Sequence, residues 1–315
     1  MRRDRLKAFP ALYYGVSAVR EGIKIKGVDD SSAHWASGDF EPVQQVFARG
    51  RRLARQHQSN LSELRDYVMF VGNQRTGHSL VGSLLDAHPN VMVAHEVNAL
   101  KLHALRFPVD HIDALLYENS RSLAQAGRGE SGYDYEVPGM FQGTHTTLQI
   151  LGDKDARRDT SILLRTPKML ARLQRRLGAR RLRVFHVVRD PFDTLSTIWG
   201  RPDRTWVERE TPPPREMIDG FFALARACVA VHSEVDVCTI SHEDLVADAG
   251  SVVETMCGYL DIDCADDYRN ACASLVRPTV HNSRTAVPWD EATATYVSEQ
   301  MAEFHFFSRY EVMQA

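Results

Sequence analysis

Short apolar runs and longer stretches of helical periodicity alternate along this chain. The runs are typical of buried strands, and they cover residues 68–71, 91–94, 161–164, 182–188 and 235–240. Apolar residues three and four apart predict helices over 42–58, 78–87, 99–105, 111–124, 169–177, 216–232, 251–260 and 291–304. Strands that alternate with helices predict a three-layer α/β fold, in which helices cover both faces of a central parallel sheet.

The first strong strand also suggests where the main domain begins. We predict one large domain over residues 61–315, preceded by a helical N-terminal extension over residues 1–60. Residues 9–19 are apolar, but they are fewer than the roughly 20 that cross a bilayer, and Pro10 interrupts them. We therefore expect no membrane span. Four arginines between residues 49 and 55 are interpreted as the solvated face of a helix.

Composition narrows the class of partner and the compartment. The 315 residues are 43% hydrophobic and 25% charged, which is ordinary for a globular protein, and the net charge of −3 does not favour nucleic acid. All five cysteines lie in the last third of the chain and form no C-x-x-C pair. This arrangement indicates reduced thiols, and we expect a cytoplasmic protein.

The candidate chemistry begins directly after the strand 68–71. Residues 72–79, with the sequence GNQRTGHS, match the phosphate-loop pattern G-x-x-x-x-G-K-[ST] except that His78 replaces the lysine. The backbone N–H groups of such a loop and the following helix N-terminus bind phosphate whichever side chains are present. A neutral imidazole is a poor partner for a γ-phosphate, whereas Arg75 supplies a fixed cation within the loop.

The run Arg75-Thr76-Gly77-His78-Ser79-Leu80, followed by Leu85-Asp86-Ala87-His88-Pro89, resembles a known family. It is similar to sulfotransferases that use 3′-phosphoadenosine 5′-phosphosulfate (PAPS), and most similar to the tyrosylprotein sulfotransferases. The resemblance implies that Glu96, just beyond the strand 91–94, is the catalytic base and that Arg75 stabilises the leaving phosphate. It also implies that the nucleotide is bound by Gln74, Arg75, Thr76, Gly77, His78, Ser79 and Leu80.

Later segments extend the resemblance. Arg189 is followed eight residues later by Thr197, with Ser196 just before it, which is similar to the family's 3′-phosphate element. Threonine stands here where the family has serine, and its hydroxyl donates the same hydrogen bond. Arg165, before the Thr166-Pro167 turn, matches the lysine that reaches the transferring sulfuryl group in the family. A basic loop that includes Arg284 is similar to the segment that closes over the nucleotide.

Some alternatives stay open. His95 and His145 are reserve candidates for the base, because other branches of the family use histidine. Asp190 follows a strand and could hold Mg²⁺, although Arg189 beside it makes this less attractive. His242 and Glu243 are interpreted as packing and capping residues, and the glycine-rich segment 127–143 with Tyr133 as a substrate lid.

The function that we predict is in-line transfer of a sulfuryl group from PAPS to a hydroxyl or amine, without a metal ion. The expected acceptor is a small molecule, with peptide tyrosine and a homo-oligomeric state left open. The alternatives are a P-loop kinase that uses ATP and Mg²⁺, and a binding protein without turnover.

Overall fold

The computed structural model describes residues 41–127, 135–202, 205–279 and 282–310, together with the backbone of Ile23, Lys24 and Phe40. The apolar segment 9–19, Tyr133 and most of the predicted extension therefore lie outside the described residues. Among the described helices, none is both long and apolar enough to cross a membrane.

A five-stranded parallel sheet forms the centre of the molecule. Its strands are β3 (Asp66–Val71), β4 (Val91–His95), β5 (Ile150–Lys154), β6 (Arg181–Val188) and β7 (Val237–Ser241), in the spatial order β4-β5-β3-β6-β7. The short strands β1 (Ile23–Lys24) and β2 (Phe40–Glu41) pair antiparallel as a separate ribbon. Because β5 and β6 flank β3, the segment that follows β3 emerges at the middle of the sheet edge.

Helices occupy most of the connections between the strands. They are α1 (Val43–His57), α2 (His78–Asp86), α3 (Ala99–Ala104), α4 (Val109–Gln125), α5 (Ala156–Arg165), α6 (Met169–Leu177), α7 (Pro191–Gly200), α8 (Arg215–Glu234), α9 (His242–Ala247), α10 (Ala249–Leu260), α11 (Asp266–Leu275) and α12 (Glu291–Met301). Two 3₁₀ turns, Ser283–Ala286 and His305–Phe307, complete the C-terminal part.

Alternation along the strands divides the core into two layers. On β3, Tyr67, Met69 and Val71 join one buried cluster with α4, α6 and α8, whereas Val68 and Phe70 join the other with α2 and α10. Strands whose two faces are both buried confirm the predicted three-layer α/β fold.

The helix within the predicted N-terminal extension belongs to the packed body. Val46 and Leu53 on α1 are buried in the same cluster as the helix α4. The predicted Phe-rich C-terminal segment also packs on the core, where Phe304, Phe306 and Phe307 are buried.

Two local predictions were wrong. Residues 161–164 are not a strand but part of the helix α5, which buries Ala156, Thr160 and Leu163 along one face. The neighbouring strand is instead β5, which the sequence analysis did not identify. The helix predicted to begin at Ser251 begins at Ala249, and its cap is the Asp248 side chain, which accepts the Ser251 N–H.

Candidate active site

The carboxyl ends of all five parallel strands contribute a polar residue to one cavity of about 460 Å³. Arg75 follows β3, Glu96 follows β4, Lys154 ends β5, Arg189 follows β6 and His242 follows β7. Ligands of open parallel sheets bind at this edge. The topology therefore assembles the cavity from segments that are far apart in sequence.

The loop 72–77 between β3 and α2 has the backbone geometry of an anion cradle. Gly72 and Gly77 have φ values of 126° and 103°, and Arg75 between them has a φ of 68°. A Cβ atom on Gly77 would lie 2.9 Å from His242 Nδ1, so the close approach of these segments requires glycine there. The loop leads directly into the N-terminus of α2, whose free N–H groups attract anions.

The His78 side chain is turned into the protein. Its Nε2 lies 3.3 Å from the Val71 carbonyl and its Nδ1 lies 3.1 Å from the Thr76 hydroxyl. Because a carbonyl only accepts, the contact with Val71 requires the proton on Nε2. Burial, with a smaller contribution from Lys154, lowers the pKa of His78 to about 3. His78 is therefore neutral, and its ring braces the loop.

The Glu96 carboxylate lies between two cations. Its Oε1 is 3.3 Å from Lys154 Nζ, and its Oε2 is 3.5 Å from Arg158 Nη1. His95 Nε2 also lies 3.4 Å from Lys154 Nζ. Lys154 reaches the cavity past Gly82 on α2, where a Cβ atom would lie 3.1 Å from the lysine Cγ. Its ammonium can interact with either the carboxylate or an anion in the cavity.

Three carboxyl groups lie beneath these cations. Asp153, Asp155 and Asp159 are almost fully buried, and desolvation raises the pKa of each one. Asp155 raises the pKa of Asp153 and Asp159 further, and Glu96 raises that of Asp155. Asp155 Oδ2 accepts from Arg158 Nη1 at 2.9 Å, so it directs this guanidinium toward Glu96.

On the other side of the loop, Arg189 and Thr197 both line the cavity. Arg189 Nη1 donates to the Arg75 carbonyl at 3.3 Å, and its Nη2 lies 3.4 Å from the Ser283 hydroxyl. The structure thus places Arg189 and Thr197 in the wall of the same cavity. Ser196 points elsewhere, since its buried hydroxyl accepts from Trp289 Nε1.

Most of the predicted site residues lie in the cavity wall, namely Gln74, Arg75, Gly77, His78, Ser79, Leu80, Glu96, Arg189 and Thr197. Thr76 is buried behind the loop. Arg165 is exposed at the C-terminal end of α5, away from the cavity wall, because its segment is helix rather than strand. Arg284 also lies outside the wall, where its guanidinium pairs with Asp190 and Asp193.

Other expectations concern residues around the site. Asp190 caps α7, accepting the N–H groups of Phe192 and Asp193, so its carboxylate is already engaged. Among the reserve bases, His95 lines the cavity, whereas His145 lies outside the wall beside Tyr117. Tyr135, in the middle of the predicted lid, lines the cavity.

Sequence reasoning missed Lys154, Arg157 and Arg158. All three line the cavity. Lys154 ends β5 and the two arginines come shortly after it, but β5 was not identified as a strand. The signal that could have found them is the run Ile150-Leu151-Gly152-Asp153-Lys154, a short apolar start that ends in charged residues. Charged residues at the end of a central strand lie where ligands of such sheets bind.

The lining of the cavity is predominantly basic. Two acidic side chains, Glu96 and Asp155, face seven basic ones, which are Arg75, Lys154, Arg157, Arg158, Arg189, Arg201 and Arg277. No group of three or more metal-ligating side chains suited to a metal ion occurs within the described part of the chain. Cations and loop N–H groups together can therefore accommodate two separate phosphate groups.

Neither a protein-family model nor a curated protein matches this chain. Among solved structures, the sulfotransferase STF9 from Mycobacterium avium is 13% identical, with a TM-score of 0.43, over 93% of this chain and 95% of that one. The sulfotransferase domain of the Synechococcus PCC 7002 olefin synthase is 14% identical, with a TM-score of 0.41, over 80% of this chain and 91% of that one. The sulfotransferase domain from the curacin biosynthetic pathway is 16% identical, with a TM-score of 0.41, over 80% and 95%. These sequence identities and TM-scores are low, so the proposed function rests on the residues of the site.

Proposed function

We propose that this protein is a PAPS-dependent sulfotransferase that acts on a hydroxyl or amine acceptor. The observation that carries the proposal is the Glu96 carboxylate between Lys154 and Arg158, beside a phosphate loop whose lysine position holds a neutral histidine. A base, anion-stabilising cations and a phosphate cradle are what in-line sulfuryl transfer requires of a protein.

The two sides of the loop would hold the two anionic ends of the nucleotide. The N–H groups of the loop and of α2, together with Arg75, suit the 5′-phosphosulfate. Arg189 and Thr197 suit the 3′-phosphate, since both line the cavity on the far side of the loop. When bound, PAPS supplies the sulfuryl group and leaves as 3′-phosphoadenosine 5′-phosphate (PAP).

Different side chains of the protein then have different roles in the reaction. Glu96 accepts the proton of the acceptor hydroxyl or amine, and this raises the nucleophilicity of the acceptor atom. Arg75 offsets the negative charge that develops on the leaving phosphate. The sulfuryl oxygens need a second cation. We assign it to Lys154 instead of Arg165, because the Lys154 ammonium lies in the cavity wall and Arg165 does not.

The kinase alternative is less favourable on the same geometry. Phosphoryl transfer from ATP needs a cation on the β- and γ-phosphates and a carboxylate for Mg²⁺. His78 is buried and neutral, and Asp190 is occupied by the α7 cap and by Arg284.

The acceptor that we propose is a small alcohol, phenol, sugar or amine, because the cavity of about 460 Å³ is concave and of ordinary ligand size. Peptide tyrosine is the other acceptor that the assay should include. All five cysteines are free thiols, which supports the proposal of a reducing, cytoplasmic compartment.

A nucleotide-binding experiment tests the proposal. PAP at 100 times its dissociation constant should stabilise the protein by about 2.7 kcal/mol in a thermal-shift titration, whereas ATP with Mg²⁺ should stabilise it less. Arg189→Ala should weaken PAP binding at least tenfold, since a charge-assisted contact to phosphate is lost. Arg165→Ala is the matched control, because it removes an arginine outside the cavity.

The wild-type protein should also transfer labelled sulfuryl groups from PAPS to members of a panel of phenols, alcohols, amines and tyrosine peptides. Equal or stronger stabilisation by ATP with Mg²⁺ would replace this proposal with the kinase. PAP binding without transfer to any acceptor class would favour a binding protein instead.

A further inference from the structure

The turn between β4 and α3 holds Glu96 in an unusual backbone conformation. Glu96 has a φ of 57° and Asn98, two residues on, has a φ of 66°. Asparagine tolerates this left-handed region but glutamate avoids it, so the conformation of Glu96 requires compensating contacts.

The Asp153 carboxylate provides these contacts. Its Oδ1 accepts the Val97 N–H at 3.1 Å and its Oδ2 accepts the Ala99 N–H at 2.9 Å. Asp153 is 1% exposed, so both hydrogen bonds form away from water, where an N–H group without an acceptor is costly. The two N–H groups lie on either side of Asn98, so one carboxylate fixes the turn at two points.

The neighbouring residue completes the arrangement. The Lys154 carbonyl accepts the Glu96 N–H at 3.2 Å, while its ammonium lies 3.3 Å from the Glu96 carboxylate. Successive side chains of a strand point to opposite faces, so Asp153 and Lys154 reach the turn from different sides of the sheet. Thus the last two residues of β5 contact both the backbone and the side chain of Glu96.

We propose that Asp153 is a positioning residue, which holds the turn 96–99 so that the Glu96 carboxylate faces the cavity. This inference rests on the proposed function, in which Glu96 is the base. Asp153 does not line the cavity, so it acts on the reaction only through the Glu96 backbone. A misplacement of the base by about 1 Å can lower a rate about 100-fold.

Asp153→Asn tests the proposal, because the amide keeps the shape but can accept only one of the two N–H groups. Hydrogen exchange of the Val97 amide, the Ala99 amide or both should accelerate roughly 10- to 100-fold, since at least one buried N–H group loses its acceptor. Asp113→Asn is the matched control. It removes another buried carboxylate, on α4, whose partner is Arg180. Unchanged exchange at Val97 and Ala99 in Asp153→Asn would overturn the proposal.

Kinetics provide the second arm. Asp153→Asn should lower kcat about 100-fold and leave the dissociation constant of PAP unchanged. In a Glu96→Gln background, the same substitution should have little further effect on kcat, because its action passes through Glu96. A full additional loss in that background would contradict the positioning role and indicate general destabilisation.

The two hypotheses fail in different ways. If the wild-type protein neither binds PAP nor transfers sulfuryl groups, the proposed function fails, yet the exchange arm still decides whether Asp153 holds the turn. If Asp153→Asn does not fold, the wild-type protein decides the question instead. Its Val97 and Ala99 amides should then exchange at least tenfold more slowly than the amide of Asn98, and equal rates would overturn the proposal.

Discussion

Arg75 and Glu96, the residues to which we assign the chemistry, share a disfavoured backbone conformation. Their φ values are 68° and 57°, and each costs about 1–2 kcal/mol relative to an ordinary conformation. Such conformations persist where the surroundings impose them, and they are concentrated at functional sites. At Arg75, the imposed turn places a guanidinium within the phosphate loop. An arginine is therefore present at position 75 although its backbone conformation is unfavourable.

We predict that Arg75→Gly separates stability from binding. Glycine adopts a positive φ without strain, so the free energy of unfolding should stay within about 1 kcal/mol of wild type or rise. PAP binding should weaken at least tenfold, because the cation of the loop is lost. Chemical denaturation and a calorimetric titration with PAP measure the two quantities.

Arg106→Gly is the matched control for this prediction. Arg106 also has a positive φ, of 63°, but it is exposed and outside the cavity wall. Its replacement should affect stability in the same direction without changing PAP binding. A similar loss of PAP affinity in both variants would show that PAP binding does not depend specifically on the Arg75 side chain.

At the scale of elements, β5 is the strand on which the site depends. It lies between β3 and β4, and it delivers Asp153 and Lys154 to the cavity edge. Its close approach to β3 requires Gly152, where a Cβ atom would lie 2.2 Å from the Val68 carbonyl oxygen. Because that atom belongs to the backbone of the central strand, no side-chain rotation can relieve the overlap.

We predict that Gly152→Ala lowers the free energy of unfolding by about 2 kcal/mol or more, through displacement of β5 from β3. Gly258→Ala is the control, because Gly258 lies within α10 with open space around it. Alanine there should raise the free energy of unfolding by up to about 1 kcal/mol. Denaturant unfolding of both variants checks the prediction, which fails if Gly152→Ala is as stable as wild type.

The strand β5 also shows why part of the fold could not be predicted from the sequence. In β5 only Ile150 and Leu151 are apolar, and the glycine and charged residues that follow are typical of a turn. Asp153 is nevertheless buried, because distant backbone N–H groups from 97 and 99 satisfy it. The three apolar residues at 162–164 fit strand and helix alike, and only the tertiary contacts of α5 decide between them.

Loops and helices that depend only on residues close together in the sequence were predictable. The loop 72–77 and the helix α2 follow from glycine spacing and local periodicity, and the Arg189 to Thr197 element follows from a strand that leads into a Pro-initiated helix. Contacts between distant segments were not. Lys154 with Glu96, and Arg284 with Asp190, are pairs that join separate elements. The cavity cations were therefore partly misassigned, while the loop and the expected base both line the cavity.

At the scale of the whole molecule, the buried histidines and the buried carboxyl groups have pKa values that are shifted in opposite directions. Burial lowers the pKa of His78 and His103 to about 3 and the pKa of His186 well below its usual value. Burial also raises the pKa of Asp113 to about 6 and of Asp153 to about 7. The folded protein therefore resists protonation at its histidines and resists deprotonation at its carboxyl groups.

Histidines and carboxyl groups make opposite contributions to the pH dependence of stability. Below about pH 6.5 the unfolded chain binds protons at histidines that stay neutral when folded, so the histidine contribution to the free energy of unfolding falls as the pH falls. Each such histidine contributes up to about 1.4 kcal/mol per pH unit. The raised carboxyl groups act in the opposite direction over the same range, since the folded protein retains protons that the unfolded chain has released. Above pH 6.5 the histidine contribution is constant, and the free energy of unfolding still falls as the pH rises through the Asp153 pKa of about 7.

His103→Asn isolates the contribution of one histidine to this pH dependence. His103 is 1% exposed and its Nδ1 accepts from Arg176 Nε, a bond that the asparagine carbonyl can replace. Between pH 4 and 6, the slope of the free energy of unfolding against pH should decrease by up to about 1.4 kcal/mol per pH unit. His305→Asn is the control, because His305 is exposed and meets water in both states. Urea denaturation at half-unit pH intervals measures the slopes, and equal slopes for His103→Asn and wild type would show that His103 is protonated in the folded protein.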